Sequence, residues 1–291
     1  MSPTRSGWIP APALVLTAIA SVQVGSAIAR NLFDDLGALG VTLLRLGLAA
    51  LLLLVVLRPR VWTWSRRSWQ AAVLLGLAMA GMNTVFYLAL RTVPLGVAVT
   101  VEFVGPLLLS LVQTRRFVDL AWAGLAAAGV ALLGLDTTSG VPLTGLALAL
   151  LAGCFWAAYI LASAHVGQLL PGVDGLAVAL SVAALVVLPF GVHGAAAVLD
   201  RPFLLIGAAC VALLSSVLSY GLELQALRRI PTRIFGILMS IEPAAAALAG
   251  LVVLGQALHT RELVALVLVS LASVGVTLGR ADGGLPAQPL E

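Results

Sequence analysis

The sequence predicts an all-α polytopic membrane protein with ten transmembrane helices, built as two inverted five-helix repeats. Three observations carry that prediction. Of 291 residues, 61% are hydrophobic and only 10% charged, with a mean hydropathy of +1.12, well above the near-half apolar content of soluble domains. The apolar runs are about 20 residues long, which suits helices crossing a ~30 Å hydrocarbon layer rather than the short alternating strands of an outer-membrane barrel. A motif also recurs: "ALRTVP" at Ala89 to Pro94 returns as "ALRRIP" at Ala226 to Pro231, and Pro106 returns as Pro243, all at an offset of 137 residues.

Arg, Asp, Pro and Gly punctuation sets the spans at 9–29, 38–57, 70–90, 95–114, 118–135, 143–166, 175–193, 203–227, 234–254 and 262–279. The first follows Arg5 and resembles a signal peptide, but it is too long for that and reads as a retained helix. Residues 1–8 form a cytoplasmic N-terminus, 9–141 the first repeat, 142–280 the second, and 281–291 a disordered cytoplasmic tail. Because five is odd, the second repeat enters the membrane from the opposite side, and a substrate site is expected near the midplane where the halves meet.

Arginine sets the orientation. With the N-terminus cytoplasmic, eleven arginines fall inside (Arg5, Arg58, Arg60, Arg66, Arg67, Arg115, Arg116, Arg228, Arg229, Arg233 and Arg280). Only Arg30, Arg91, Arg201 and Arg261 fall outside, so both termini are expected to be cytoplasmic. Trp8, Trp62, Trp64, Trp69 and Trp122 then sit near the inner interface as belt residues, while Trp156 lies mid-span. The formal charge of +4 and pI near 9.8 form no extended basic patch, so nucleic acid is not an expected partner.

Ionisable groups inside apolar spans are few: Arg45, Glu102, Glu242 and, nearer an end, Glu223. Each costs roughly 2.5 to 3.5 kcal/mol at a helix centre and needs a partner, a wet cavity or a proton. Glu102 lies about 10 Å deep and Glu242 about 12 Å deep at 1.5 Å per residue. Pro106 and Pro243 follow them as expected helix kinks, and Pro106 frees the carbonyl of Glu102 itself, an acceptor that an ammonium group would favour. Arg45 either snorkels outward or binds a carboxylate, that of Glu102 or of a substrate.

Polar side chains line up beside these acids. Ser216, Tyr220 and Glu223 share one face of the eighth span, and Asn83 and Tyr87 one face of the third. The first span presents Gln23, Ser26 and Arg30, and the sixth presents Trp156, Tyr159 and Ser163. Ala246 with Gly250, and Gly275 with Gly279, have the small-residue spacing of close helix packing or dimer contact; monomer and homodimer both stay open.

Other chemistry is not signalled. Cys154 and Cys210 lack paired spacing and read as buried, inert thiols, and no metal or cofactor is expected. No GxxxxGK[ST] run marks an ATPase, and no GxSG run or mid-span histidine marks a hydrolase, so the chain is not expected to be an enzyme. Coupling would come from an ion gradient, to which a membrane potential adds about 2.3 kcal/mol per charge per 100 mV.

Six stretches together carry a family resemblance: "SVQVGSAIARNLF" from Ser21, "GVTLLRLGLAALLL" from Gly40, "GMNTVFYLAL" from Gly81, "VPLGVAVTVEFVGPL" from Val93, "GCFWAAYIL" from Gly153 and "YGLELQALRRIPTRIFGILMSIEPAAAALAG" from Tyr220. Over residues 8–280 the chain resembles the threonine and homoserine exporters of the EamA branch of the drug/metabolite transporter superfamily. The resemblance implies a multi-pass carrier of the bacterial inner membrane that exports small amino acids in exchange for protons. Gln23, Arg45, Asn83, Tyr87, Glu102, Pro106, Trp156, Tyr159, Glu223, Glu242 and Pro243 stand at matching motif positions. Many relatives carry a Trp-Gly pair in the first helix where this chain has Val24-Gly25, a departure that agrees with the exporter branch. The mechanism expected from these residues has Glu102 or Glu242 alternating between a proton and the cargo ammonium. Arg45 or a helix N-terminus holds the cargo carboxylate, and Asn83, Tyr87 and Tyr159 read its side chain. An exporter of other metabolites or hydrophobic drugs is the alternative.

Overall fold

The computed structural model describes residues 10–114, 117–134, 142–170, 173–227, 229–230, 235 and 238–279, and the described residues contain helices and no strand. Helix α1 (Ala11–Asn31) carries Pro12 in its first turn, where no amide hydrogen is needed. Helix α2 (Phe33–Leu57) begins five residues before the expected limit because Gly37, at φ 66°, turns a short leading segment into it. Helix α3 (Arg66–Ala89) is capped by Ser65, whose hydroxyl accepts from the Ser68 amide at 3.1 Å. The fourth expected span divides into α4 (Leu95–Glu102) and α5 (Val104–Thr114) at Phe103. Pro106 has no amide hydrogen to give the Glu102 carbonyl, so the helix opens one residue after the glutamate.

Helices α6 (Phe117–Gly134), α7 (Leu143–Leu169), α8 (Asp174–Ala195) and the short α9 (Ala197–Asp200) follow. The eighth expected span is α10 (Leu204–Ala212), a π-helical turn at Leu213–Leu218, and α11 (Ser219–Leu227). Helix α12 (Glu242–Leu254) carries Pro243 in its first turn and ends at Gly255, at φ 66°. Pro243 follows the turn at Ser240–Ile241, which interrupts the helix after Met239. Helix α13 (Thr260–Gly279) closes the described chain.

Among the described residues, seven helices are long and apolar enough to cross a membrane, and three shorter apolar ones lie at Leu95–Leu109, Leu120–Leu133 and Glu242–Leu254. The bundle has an apolar exterior as well as an apolar core. Val56, Leu185, Phe190, Ile206 and Val252 all point outward, as expected where hydrocarbon rather than water is the solvent. That exterior also explains Cys154 and Cys210. Both are exposed on the outside of the bundle rather than buried, because lipid accommodates a small soft thiol as readily as a core does.

Helix α2 packs on α8, α3 on α7 and α8, and α6 on α13. Helix α1 packs on α11 and α12, while α4 meets α12 and α7. Trp62 and Trp69 are exposed beside Arg58 and Arg60, with the Trp64 ring 5.5 Å from that of Trp69, in keeping with an interfacial loop. Trp122 differs: its indole lies against Gly275 in the α6–α13 contact, so it is a packing residue. Trp8, Arg5, Arg115, Arg116, Arg228, Arg233 and Arg280 lie outside the described residues, as do both terminal segments.

Candidate functional site

A cavity of about 630 Å³ opens between α1, α2, α3, α4, α5, α7, α11, α12 and α13. Nearly every residue singled out as a binding candidate lines it: Gln23, Arg45, Asn83, Glu102, Trp156, Tyr159, Tyr220, Glu223 and Glu242, with Pro106 at its edge. Tyr87 and Pro243 do not reach it. Three carboxyl groups therefore share one enclosure, each from a different helix.

Helix α4 delivers Glu102 at its last residue, buried, and no hydrogen bond reaches that carboxyl group among the described residues. The backbone beside it behaves differently from the expectation. A Cβ built on Gly153 would collide with the Glu102 carbonyl oxygen, and one built on Gly105 would collide with the Gly153 backbone. The acceptor freed by Pro106 is thus pressed against α7, the kind of close approach that supports a Cα–H···O contact, and is not presented to the cavity.

Glu242, in the first turn of α12, is bridged to α1. Gln23 Nε2 donates to Glu242 Oε1 at 3.2 Å, while Gln23 Oε1 and Glu242 Oε2 are buried without a partner. Glu223, on α11, is half-buried and accepts from the Ser219 hydroxyl at 3.4 Å, a long contact. Two aromatic pairs complete the wall: Phe103 edge-on to Trp156 at 5.5 Å, and Tyr159 against Tyr220 at 5.9 Å. Mid-span Trp156 is thereby accounted for as a cavity wall rather than a belt residue. The Tyr220 side chain also meets Asn83.

Arg45 neither snorkels nor pairs with a carboxylate among the described residues. Its Nε donates to Ser216 Oγ at 3.0 Å, Nη1 to Tyr87 Oη at 3.0 Å and Nη2 to the Ser215 carbonyl at 2.8 Å. The fully buried Tyr87 ring lies 5.4 Å from its Cζ, within cation–π range. The π-helical turn at Leu213–Leu218 makes this possible, since widening the helix releases a backbone carbonyl from the regular ladder. Ser216 and Tyr87 consequently serve Arg45 and not the cavity. Arg30, expected on the face of Gln23, instead stacks over Phe33 at 5.4 Å.

Ser219, Ser273 and Thr277, which carry no charge to single them out in the sequence, also line the cavity from α11 and α13. Ser273 and Thr277 are four residues apart, so the stripe logic applied to the other spans would have found them. Ala246 packs in the buried core as its spacing implied, and among the described residues no group of His, Cys, Asp or Glu is arranged to hold a metal ion.

Residues 143–278 match the EamA-like transporter family. The threonine/homoserine exporters RhtA of Escherichia coli K12 and of Salmonella typhimurium LT2 are each 42% identical over 274 residues, spanning 93% of this chain and 92% of theirs. This chain belongs to the EamA-like transporter family. A solved crystal structure shares the fold at a TM-score of 0.60 and 16% identity, over 94% of this chain and 99% of that one. Family membership fits the cavity: a transporter, embedded as a multi-pass bacterial membrane protein, needs an enclosure for a small molecule between packed helices, and carriers place it there.

Proposed function

We propose that this EamA-family transporter exports small amino acids, threonine and homoserine among them, across the bacterial inner membrane in exchange for protons. The observation that carries the reading is the convergence of Glu102, Glu223 and Glu242 on one cavity whose single arginine among the described residues is already engaged by protein groups. Three carboxyl groups with no salt bridge among the described residues, in a low-dielectric enclosure, call for cations, and the two on offer are a proton and an ammonium group. Hydroxyls from Tyr159, Tyr220, Ser273 and Thr277 suit a hydroxylated side chain. The names of the 42%-identical relatives point the same way.

Arg45 is part of the cavity wall, and its engagement favours the hydroxyl and amide groups of Asn83 and Tyr220 as neighbours of the cargo carboxylate. Two inverted five-helix repeats, 9–141 and 142–280, account for the packing. Exchanging the halves turns the α1–α11 contact into α3–α7 and the α1–α12 contact into that of α7 with α4. The helix breaks at Phe103 and Ser240 are also 137 residues apart, as are the prolines after them. Ten spans then put both termini in the cytoplasm. Cavity size favours one second reading: about 630 Å³ with aromatic walls would also admit larger apolar cations.

Reconstituted protein tests this directly. Under an imposed pH gradient, wild-type vesicles are expected to move labelled threonine, and Glu102→Gln to reduce that flux at least tenfold. Undiminished gradient-driven flux in the variant removes Glu102 from the mechanism, and competition by bulky apolar cations but not by homoserine selects the second reading.

A further inference from the structure

The hydrogen bond between Gln23 and Glu242 leaves over one atom on each side chain, and both are oxygens: Gln23 Oε1 and Glu242 Oε2. An amide oxygen and a carboxylate oxygen only accept. Both are sealed within the α1–α12 contact, where an unmet acceptor carries its full desolvation cost. A proton resolves both at once. Placed on Glu242 Oε2, it turns that oxygen into a donor, and Gln23 Oε1 is the free acceptor of the residue already bonded to the same carboxyl group.

We propose that Glu242 is the proton carrier of this transporter and that Gln23 senses the proton. The protonated acid and the amide form a double hydrogen bond that holds α1 against α12. Release of the proton breaks one O–H bond and returns H⁺ to water on one face of the membrane; reloading forms the same bond with H⁺ from the other. The deprotonated pair keeps one hydrogen bond and loses the other, so the α1–α12 contact loosens when the proton leaves. The proposal rests on the antiport reading above and divides its labour: the cargo ammonium goes to Glu102, whose carboxyl group has no hydrogen-bond partner among the described residues.

The surroundings of Glu242 agree with this division. The titratable groups that face it are Glu102 from α4 and Glu223 from α11. Helix α1 presents Gln23 and Ser26, and α13 presents Ser273 and Thr277, none of which carries charge. Arg45, from α2, is committed to Tyr87, Ser215 and Ser216. No cation bonds to Glu242 among the described residues, so a proton is the species that neutralises it in this arrangement.

Infrared difference spectra of the purified full-length protein in lipid, without cargo, read the carbonyl stretch of protonated carboxyl groups across a pH titration. The expected result is a titrating band in the wild type that is absent from Glu242→Gln. In Gln23→Leu the band persists with its midpoint moved by at least a tenfold change in proton concentration, an effect that a packing role alone would not produce. Glu242→Asp keeps a titrating band at a changed frequency and serves as the second reading should Glu242→Gln fail to assemble. A band unaltered in Glu242→Gln, or a midpoint unmoved in Gln23→Leu, overturns the proposal. Flux on the same preparations separates it from the cargo assignment. A wild type that shows the band but moves neither threonine nor homoserine overturns the cargo and leaves the proton site standing. Threonine flux whose response to a pH gradient survives in Glu242→Gln does the reverse.

Discussion

Two helix crossings flank the cavity and are closed by opposite means. Where α5 meets α7, Gly105 and Gly153 let backbone press on backbone, with no side chain between them. Where α1 meets α12, the contact is made through Gln23 and Glu242, one hydrogen bond and two unmet oxygens. Gly105 and Glu242 are 137 residues apart, the offset of the two proline motifs. Under the proposed repeat, a glycine in one half thus occupies the place of an ionisable residue in the other. A second pair repeats the lesson. Val182 of α8 packs on Gly76 of α3 through hydrocarbon, whereas Arg45, 137 residues before Val182, reaches three acceptors on α3 and the π-helical turn. Duplicated halves with the same chemistry would hold both sides of the cavity equally; here one side is fixed by shape and the other by polar and ionisable groups.

The comparison predicts the largest effect at the backbone crossing. Gly153→Leu has no space to enter, since even a Cβ meets the Glu102 carbonyl, and neither backbone can withdraw without parting α5 from α7. Failure to recover monodisperse protein by size-exclusion chromatography is the expected outcome. Gly153→Ala is the graded version, costing about 1 to 3 kcal/mol by overpacking, read as a lower denaturation midpoint in micelles. A well-folded Gly153→Leu would mean that the two crossings are equally yielding.

Next in size is Arg45→Met. It keeps the length of the stem but strands Tyr87 Oη and the Ser215 carbonyl, each within the buried α2–α3–π-turn contact. Stranded buried groups cost about 1 to 3 kcal/mol apiece, so a loss of about 2 to 6 kcal/mol in unfolding free energy is expected. An arginine whose main task was to hold a cargo carboxylate would instead raise the KM for threonine with the stability unchanged. Measuring both quantities on one preparation decides between strut and ligand.

These contrasts were unevenly visible in the sequence. Glu102, Glu223, Glu242 and Arg45 stand out because an ionisable group in an apolar span costs enough to demand a reason, and their neighbours Gln23, Asn83, Trp156 and Tyr159 follow from helical spacing. The partners of those groups were hidden. Tyr87 shares a face with Asn83 in projection, yet its longer side chain turns toward Arg45 instead of the cavity. Nothing in "LLSSVL" marks a π-helical turn, because no proline or glycine interrupts it and the guanidinium that meets it comes from a distant helix. Ser273 and Thr277 pass unnoticed since a helical hydroxyl can satisfy itself on its own backbone, as Thr277 does on the Ser273 carbonyl at 2.8 Å. The glycine crossing was equally silent: Gly105 and Gly153 read as small residues among many, and only a folded chain shows which of them touch.

The smallest expected effect is the sharpest probe of how Arg45 is held. Ser216→Ala removes one acceptor of three and leaves Nε unpaired, while Tyr87 and the Ser215 carbonyl still fix the guanidinium. A loss of about 1 kcal/mol is expected. Tyr87→Phe removes a different acceptor at similar cost and keeps the ring beneath the cation. If the two acceptors hold the guanidinium together, the double variant loses more than the sum of the singles, by about 0.5 to 3 kcal/mol of coupling, because the arginine is then free to swing toward Glu102. Strict additivity would mean that the π-turn carbonyl alone anchors Arg45, and that the polar side of the cavity owes its shape to one backbone group in the way the other side owes its shape to Gly153.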